Sequence, residues 1–320
     1  MVVLKKLDSL KIEKNTIFGW PKKGKHTRSV VLMPLIKVNL LANHIMNTNV
    51  ILNDFKIKPS LLLLPLFCLI TIVLWLYHYG ALTAGNYVQI QKNYFFFINS
   101  KLSVFPNTLY NLTQFGDALI FLSFLTILLV YAPKIWEALL SASLVSALFS
   151  KVLKTLFAIP RPAAVFDNHS FVIIGKTLNG HNSLPSGHSI TIFTLLTVLI
   201  FAGMPQKLSA KIGWCLFMVL LGFILAFTRV GVGAHYPLDV IIGSIVGYIS
   251  GIFGLYLSKK YNLWTWIGQK KYYPILMVLL LICCCALIVK IGNENLIIYD
   301  LCLISLIVSL YKITRVYVQK

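Results

Sequence analysis

The chain has 320 residues, 58% of them apolar and only 12% charged, about half the charge density of a soluble domain, so it reads as an integral membrane protein. The 29 Lys and Arg against 9 Asp and Glu give a formal charge of +20. A groove for nucleic acid needs a polar surface that this chain hardly has, so the basic excess points to membrane topology and lipid headgroups, and no nucleic-acid partner is expected.

A Lys-rich leader opens the chain, with Lys5, Lys6, Lys11, Lys14, Lys22, Lys23 and Lys25 in its first half. Residues 1–58 are read as a basic cytoplasmic or interfacial segment. Residues 29–43 within it are apolar but interrupted by Pro34 and Lys37, which suits a helix laid on the bilayer surface or a loosely ordered leader. No cleavable signal peptide is expected, because the first long apolar run begins near Leu61.

Apolar runs long enough, or nearly so, to cross a hydrocarbon core of about 30 Å fall roughly at 61–79, 114–132, 136–156, 188–204, 212–228, 238–257, 274–291 and 296–311. They lack the alternation of barrel strands, so the expected fold is all-α, a polytopic membrane helix bundle. The stretch 80–113, rich in Tyr87, Tyr94, Phe95, Phe96, Phe97 and Phe105, is expected as an outer loop at headgroup depth. Gly243, Gly247 and Gly251, four residues apart, predict a close helix contact. Threading the runs alternately places Lys134, Lys207, Lys211, Lys259, Lys260, Lys270 and Lys271 on the leader's side, with both termini cytoplasmic. All six cysteines lie inside apolar runs and are read as packing residues.

Three short stretches place ionisable residues at run ends on the opposite, outer side. They are Lys154-x6-Arg161-Pro162, Pro185-Ser186-Gly187-His188, and Thr228-Arg229-x5-His235-x3-Asp239. Charge at membrane depth is costly and marks functional sites. Lys154, Arg161 and Arg229 against the single carboxylate Asp239 would repel a metal ion but suit a phosphate, so neither a metal nor another cofactor is expected. Ser186 can cap a helix that runs on from Gly187, where a bare backbone and the positive helix end cradle anionic oxygens. Pro237 starts another helix with Asp239 in its first turn, facing His235. A carboxylate that accepts one imidazole proton leaves the other ring nitrogen free to attack. His235 is thus the candidate nucleophile, Asp239 its orienter and His188 the general acid, with Lys154, Arg161, Ser186, Gly187 and Arg229 holding phosphate. His181, Asp167, Asn168 and Lys176 in the preceding loop are possible headgroup contacts, and Asp117 a possible partner for a cation of the site.

These motifs, in order and spacing, closely resemble those of the type-2 phosphatidic acid phosphatase (PAP2) superfamily, which includes lipid phosphatases, vanadium haloperoxidases and bacterial acid phosphatases. The resemblance covers 154–239 directly. It implies a six-helix core within 59–258, followed by an added helix pair in 259–320, and a phosphohistidine formed on His235. Thr228 departs from the family's usual serine, from which a minor loss of phosphate contact is expected. The function implied is that of a metal-independent lipid phosphatase in the inner membrane of a bacterium, acting at the periplasmic face. Its substrate would be undecaprenyl diphosphate, phosphatidylglycerol phosphate, phosphatidate or lipid A. A phosphotransferase that hands the group to an acceptor lipid, and a transporter or scaffold without turnover, are the alternatives.

Overall fold

A computed structural model describes residues 57–319. The surface helix expected at 29–43, His26, His44 and nearly all of the leader lie outside the described residues. Among the described residues all regular structure is helical, with elements α1 (Leu63–His78), α2 (Ala84–Leu102), α3 (Pro106–Thr113), α4 (Ala118–Leu125), α5 (Ile127–Tyr131), α6 (Pro133–Phe157), α7 (Pro162–Val165), α8 (Gly187–Ala202), α9 (Leu208–Gly231), α10 (Pro237–Tyr261), α11 (Tyr273–Asn293) and α12 (Ile297–Val318).

Six stretches among the described residues are long and apolar enough to cross a membrane: Pro59–His78, Pro133–Val165, Leu208–Gly231, Pro237–Tyr261, Lys270–Asn293 and Ile297–Val318. The chain is a multi-pass membrane protein. Two of the eight expected spans take another form. Gly187–Ala202 is apolar but shorter. The run 114–132 is not one helix but a 3₁₀ turn, Gln114–Gly116, followed by α4 and α5. Asp117 restarts the helix with an extended backbone and caps it, its Oδ1 accepting from Leu119 N at 2.8 Å. At the second break the Thr126 hydroxyl donates back to Ser123 O at 2.8 Å and lies 3.1 Å from Ser305 Oγ of α12, the back-bonding that bends helices.

The stretch 80–113, expected as a loop, instead forms α2 and α3. Thr83 caps α2, and Tyr87, Val88, Gln91, Phe95 and Asn99 are buried along it. Their spacing of three and four puts them on one inward stripe. Local polarity disguises this helix: its core-facing stripe carries Gln and Asn that bond to the bundle. Asn99 Nδ2 reaches the carbonyls of Val172, Val230 and Gly231 at 2.9–3.1 Å.

The bundle is centred on α8 and α10. A Cβ added to Gly243 would lie 2.7 Å from Ser186 O, at Gly247 2.5 Å from Ile190 O, and at Gly251 2.6 Å from Thr197 Cβ. No side chain fits along this seam, as the four-residue spacing predicts. Gly254 makes the same kind of contact with α6, where a Cβ would stand 2.2 Å from Ala142 Cα. The outer helices turn rows of large apolar side chains outward, such as Leu63, Phe67, Ile70 and Leu74 of α1 and Ile212, Leu216, Leu220 and Ile224 of α9. Such continuous apolar surface suits hydrocarbon rather than water. The added pair α11 and α12 packs on α4 and α5, where Cys302 Sγ donates to Ile120 O at 3.3 Å and Ser305 Oγ to Phe124 O at 2.9 Å. The six cysteines are free.

Candidate active site

Two helix starts meet at the heart of the site. Ser186 is fully buried and caps α8, its Oγ accepting from Ser189 N at 3.4 Å and from Ser189 Oγ at 2.9 Å. Its own N–H donates to Asp239 O at 3.0 Å, which ties the start of α8 to the first turn of α10. Pro237 opens α10 with its φ preset for a helix. His188 and Asp239 therefore ride on adjoining helix ends, and His235 stands two residues before Pro237.

Asp239 is wholly buried, and both of its carboxylate oxygens accept hydrogen bonds. Oδ1 accepts from the Tyr87 hydroxyl at 2.8 Å. Oδ2 accepts from Ser183 Oγ at 2.5 Å and Tyr236 N at 3.0 Å, and lies 3.5 Å from His235 Nδ1. Ser183 Oγ is itself 3.4 Å from Nδ1. On the far side of the ring, Arg161 Nη1 approaches Nε2 at 3.3 Å. A guanidinium only donates, so Nε2 carries the lone pair and Nδ1 the proton that faces Asp239 and Ser183. Burial, followed by the positive charges of Arg161, Arg229 and Lys154, holds the His235 imidazole well below its ordinary pKa. Burial and the charge of Asp239 push the Tyr87 hydroxyl well above its own, so it remains a donor.

The cations converge on the same place. Arg161 is also fixed by Nε to Asn182 Oδ1 at 2.6 Å and by Nη1 to Ala234 O at 3.2 Å. The loop that carries it is pinned by Arg161 N to Gly180 O at 3.0 Å and Ser183 N to Ile159 O at 2.9 Å. Lys154, on the last turn of α6, leans over the start of α8: a Cβ on Gly187 would lie 3.2 Å from both its Nζ and Ser150 Oγ. Arg229 ends α9. Its Nη1 donates to Thr113 Oγ1 at 3.0 Å, while its Nε is buried with no hydrogen-bond partner. A buried donor left open beside other cations is a place for an anion. Arg229 also lines a cavity of about 180 Å³ with Tyr110, Thr113, Gln114, Lys176 and Ala234.

All eight expected site residues thus lie around one locus. Several neighbouring expectations change. Asp117 pairs with Lys290 of α11 at 3.4 Å rather than with a cation of the motifs. The Thr228 hydroxyl donates to Leu225 O at 2.5 Å; with its hydrogen committed there it has none left for a phosphate oxygen. Asp167, Asn168, His169 and His181 are exposed, whereas Lys176 borders the cavity. Tyr87, Ser183, Asn182 and Gln91 escape sequence reasoning, although Gln91 Oε1 accepts from Leu238 N at 2.7 Å and so secures the start of α10. Tyr87 and Gln91 stand four apart, which was the available signal. Among the described residues no cluster of three or more His, Cys, Asp or Glu side chains is placed to hold a metal.

Residues 135–263 match the PAP2 superfamily, and the match spans all three motifs. This region belongs to the PAP2 superfamily. Among its relatives is the bacitracin transport permease protein BcrC of Bacillus licheniformis, 30% identical over 119 residues, or 37% of this chain and 53% of the relative. Another is the undecaprenyl-diphosphatase of Sulfolobus acidocaldarius, 28% identical over 138 residues, 42% of this chain and 62% of the relative. The chain thus spans between half and two thirds of the length of these curated relatives. The solved structure of Aquifex aeolicus LpxE is 27% identical and covers 52% of this chain and 95% of its own, with a TM-score of 0.43. Outside the PAP2 region lie α1 to α5 and the pair α11 and α12, although Tyr87, Gln91 and Thr113 reach into the site from there.

Proposed function

We propose that the chain is a metal-independent lipid phosphatase working through a phosphohistidine on His235. The observation that carries this is the sandwiched imidazole, with Asp239 and Ser183 on the Nδ1 side and Arg161 on the Nε2 side. The Nε2 lone pair attacks the terminal phosphorus, its bond to the oxygen that bridges to the rest of the lipid breaks, and His188 gives that oxygen its proton. Water then attacks the phosphohistidine, His188 takes one of its protons, and inorganic phosphate leaves with the N–P electron pair returned to Nε2. Asp239 keeps the Nδ1 proton in place and offsets the positive charge that develops on the ring. Arg161, Lys154, Arg229 and the open N–H groups at the start of α8 hold the non-bridging oxygens, where most of the stabilisation of phosphoryl transfer resides.

The relative named undecaprenyl-diphosphatase supports a polyisoprenyl diphosphate as substrate. With the basic leader on the cytoplasmic side, the site faces the periplasm or cell exterior of a bacterial inner membrane.

Purified protein in detergent, freed of divalent ions with a chelator, is expected to release phosphate from polyisoprenyl diphosphate ahead of phosphatidate, phosphatidylglycerol phosphate and lipid A. With ³²P-labelled substrate and rapid quenching, an acid-labile, base-stable label should appear on the protein and vanish in His235→Ala. Absence of the label with turnover intact would overturn the covalent route, and no turnover on any of the four lipids would overturn the hydrolase. The relative named as a transport permease gives a second reading, passage of a solute without chemistry. Full cellular activity of His235→Ala would favour it.

A further inference from the structure

The added pair α11 and α12 reaches back toward the chemistry through one short segment, residues 110–117. Lys290 Nζ bonds Asp117 Oδ2 at 3.4 Å while the other carboxyl oxygen caps α4. Ile298 N, in the first turn of α12, donates to Asn111 Oδ1 at 3.2 Å. Glu294 accepts from Tyr299 at 3.1 Å, and Lys290 sits 5.5 Å above the Tyr299 ring. Burial and the Glu294 carboxylate push the Tyr110 hydroxyl up to about 12.

From its other side the segment touches the site twice. Thr113 takes the Arg229 guanidinium, and the Gly116 backbone lies flat against His188. A Cβ there would come within 2.3–2.5 Å of His188 Cβ, Cγ and Cδ2. The turn therefore forms the wall that sets where the His188 ring stands. The Lys290 and Asp117 side chains are each about one third exposed (36% and 35%), and such exposed pairs add little to stability. That is too little to hold the helix pair, which the apolar packing of α12 on α4 and α5 already does. The pair's leverage is positional: it fixes the peptide next to the imidazole.

We infer that Lys290 is a positioning residue, acting through Asp117 and Gly116 to hold His188 in line with the leaving oxygen, and that the α11 and α12 hairpin is a brace for the acid. The inference rests on the phosphatase reading above. A lipid alkoxide leaves only when protonated, whereas nitrophenolate leaves unaided, so a misplaced His188 slows formation of the phosphohistidine from a lipid monoester and spares its formation from the nitrophenyl ester, while the water step that follows is common to both.

Single-turnover release of the leaving group, which reads phosphohistidine formation alone, is followed for the full-length chain with phosphatidate and with p-nitrophenyl phosphate as Lys290→Met, Lys290→Arg and Asp117→Asn, the last keeping the helix cap. In Lys290→Met and Asp117→Asn, this rate on the lipid should fall about fivefold, a small fraction of the effect of losing a general acid outright. The nitrophenyl rate should change less than about twofold, and Lys290→Arg should restore the lipid rate. Equal losses on both substrates, or no loss on either, would overturn the inference while leaving the phosphatase standing. A wild-type chain silent on these substrates and on polyisoprenyl diphosphate would overturn the two together.

Discussion

Replacing Asp239 with Asn removes one charge and almost nothing else. The Tyr236 N–H can only donate, so the amide oxygen must stay on the side of Tyr236 and Ser183, with the amide nitrogen turned toward Tyr87, whose hydroxyl can rotate to accept. The fold and the orientation of His235 survive; the negative charge opposite Nδ1 does not. Two unit charges 3.5 Å apart interact by about 5 kcal/mol at an effective dielectric of about 20. Because the ring becomes positive only as Nε2 bonds to phosphorus, that stabilisation belongs to the transition state. At 1.36 kcal/mol per decade its loss corresponds to a fall in kcat of roughly three orders of magnitude. Phosphate release from detergent-solubilised protein, run beside thermal unfolding to show an intact fold, measures it. A variant within tenfold of wild type would refute the claim that Asp239 offsets charge on His235.

Tyr87→Phe deletes one charge-assisted hydrogen bond of 2.8 Å to Asp239, so kcat should drop by about 1.5–3 kcal/mol, some ten- to a hundredfold, with KM nearly unchanged; kinetics with the wild-type substrate check this. The pH profile follows from His235, which must be neutral to attack: burial and the neighbouring cations disfavour its protonation, so kcat/KM is lost as pH falls through a value well below the ordinary 6.5. An acid limb at or above that value in a profile from pH 4 to 9 would contradict the assignment. Gly247→Ala puts a Cβ 2.5 Å from Ile190 O; forcing the α8 and α10 seam apart should cost about 1–3 kcal/mol, read as a lowered Tm. Because the seam holds Ser186 against Asp239, activity should fall with it, in contrast to Ala substitution at Gly213, where a Cβ meets nothing within 4 Å.

What was legible in the sequence was whatever the bilayer or a phosphate dictates locally. Apolar runs announce spans, and ionisable groups gathered at span ends on the side away from the basic leader stand out against the rule that keeps Lys and Arg on the cytoplasmic side. Lys154, Arg161, Arg229, His188, His235 and Asp239 could be gathered on that ground alone. Tyr87 could not, since an aromatic among Phe and Asn looks like any interfacial residue, and its partner is 152 positions away. The same holds for Ser183, whose value comes from standing between Nδ1 and a carboxylate. Asp117 misled because sequence shows its charge but not which of several cations comes near; helices joined far along the chain decided in favour of Lys290. The break at Thr126 was hidden because its hydroxyl bonds to a carbonyl three residues back and to a serine in the last helix, neither visible in hydropathy.

The glycine seam between α8 and α10 also governs how such a molecule can change over time. With backbones touching backbones, two rods clasped like folded hands fix the frame in which proton donor and attacking nitrogen face each other, and the Gly116 turn and the loop of Arg161 and Ser183 trim the interval. The outer segments that flank them are then free to diverge and to take up different tails and headgroups, while the reaction beneath stays as it is.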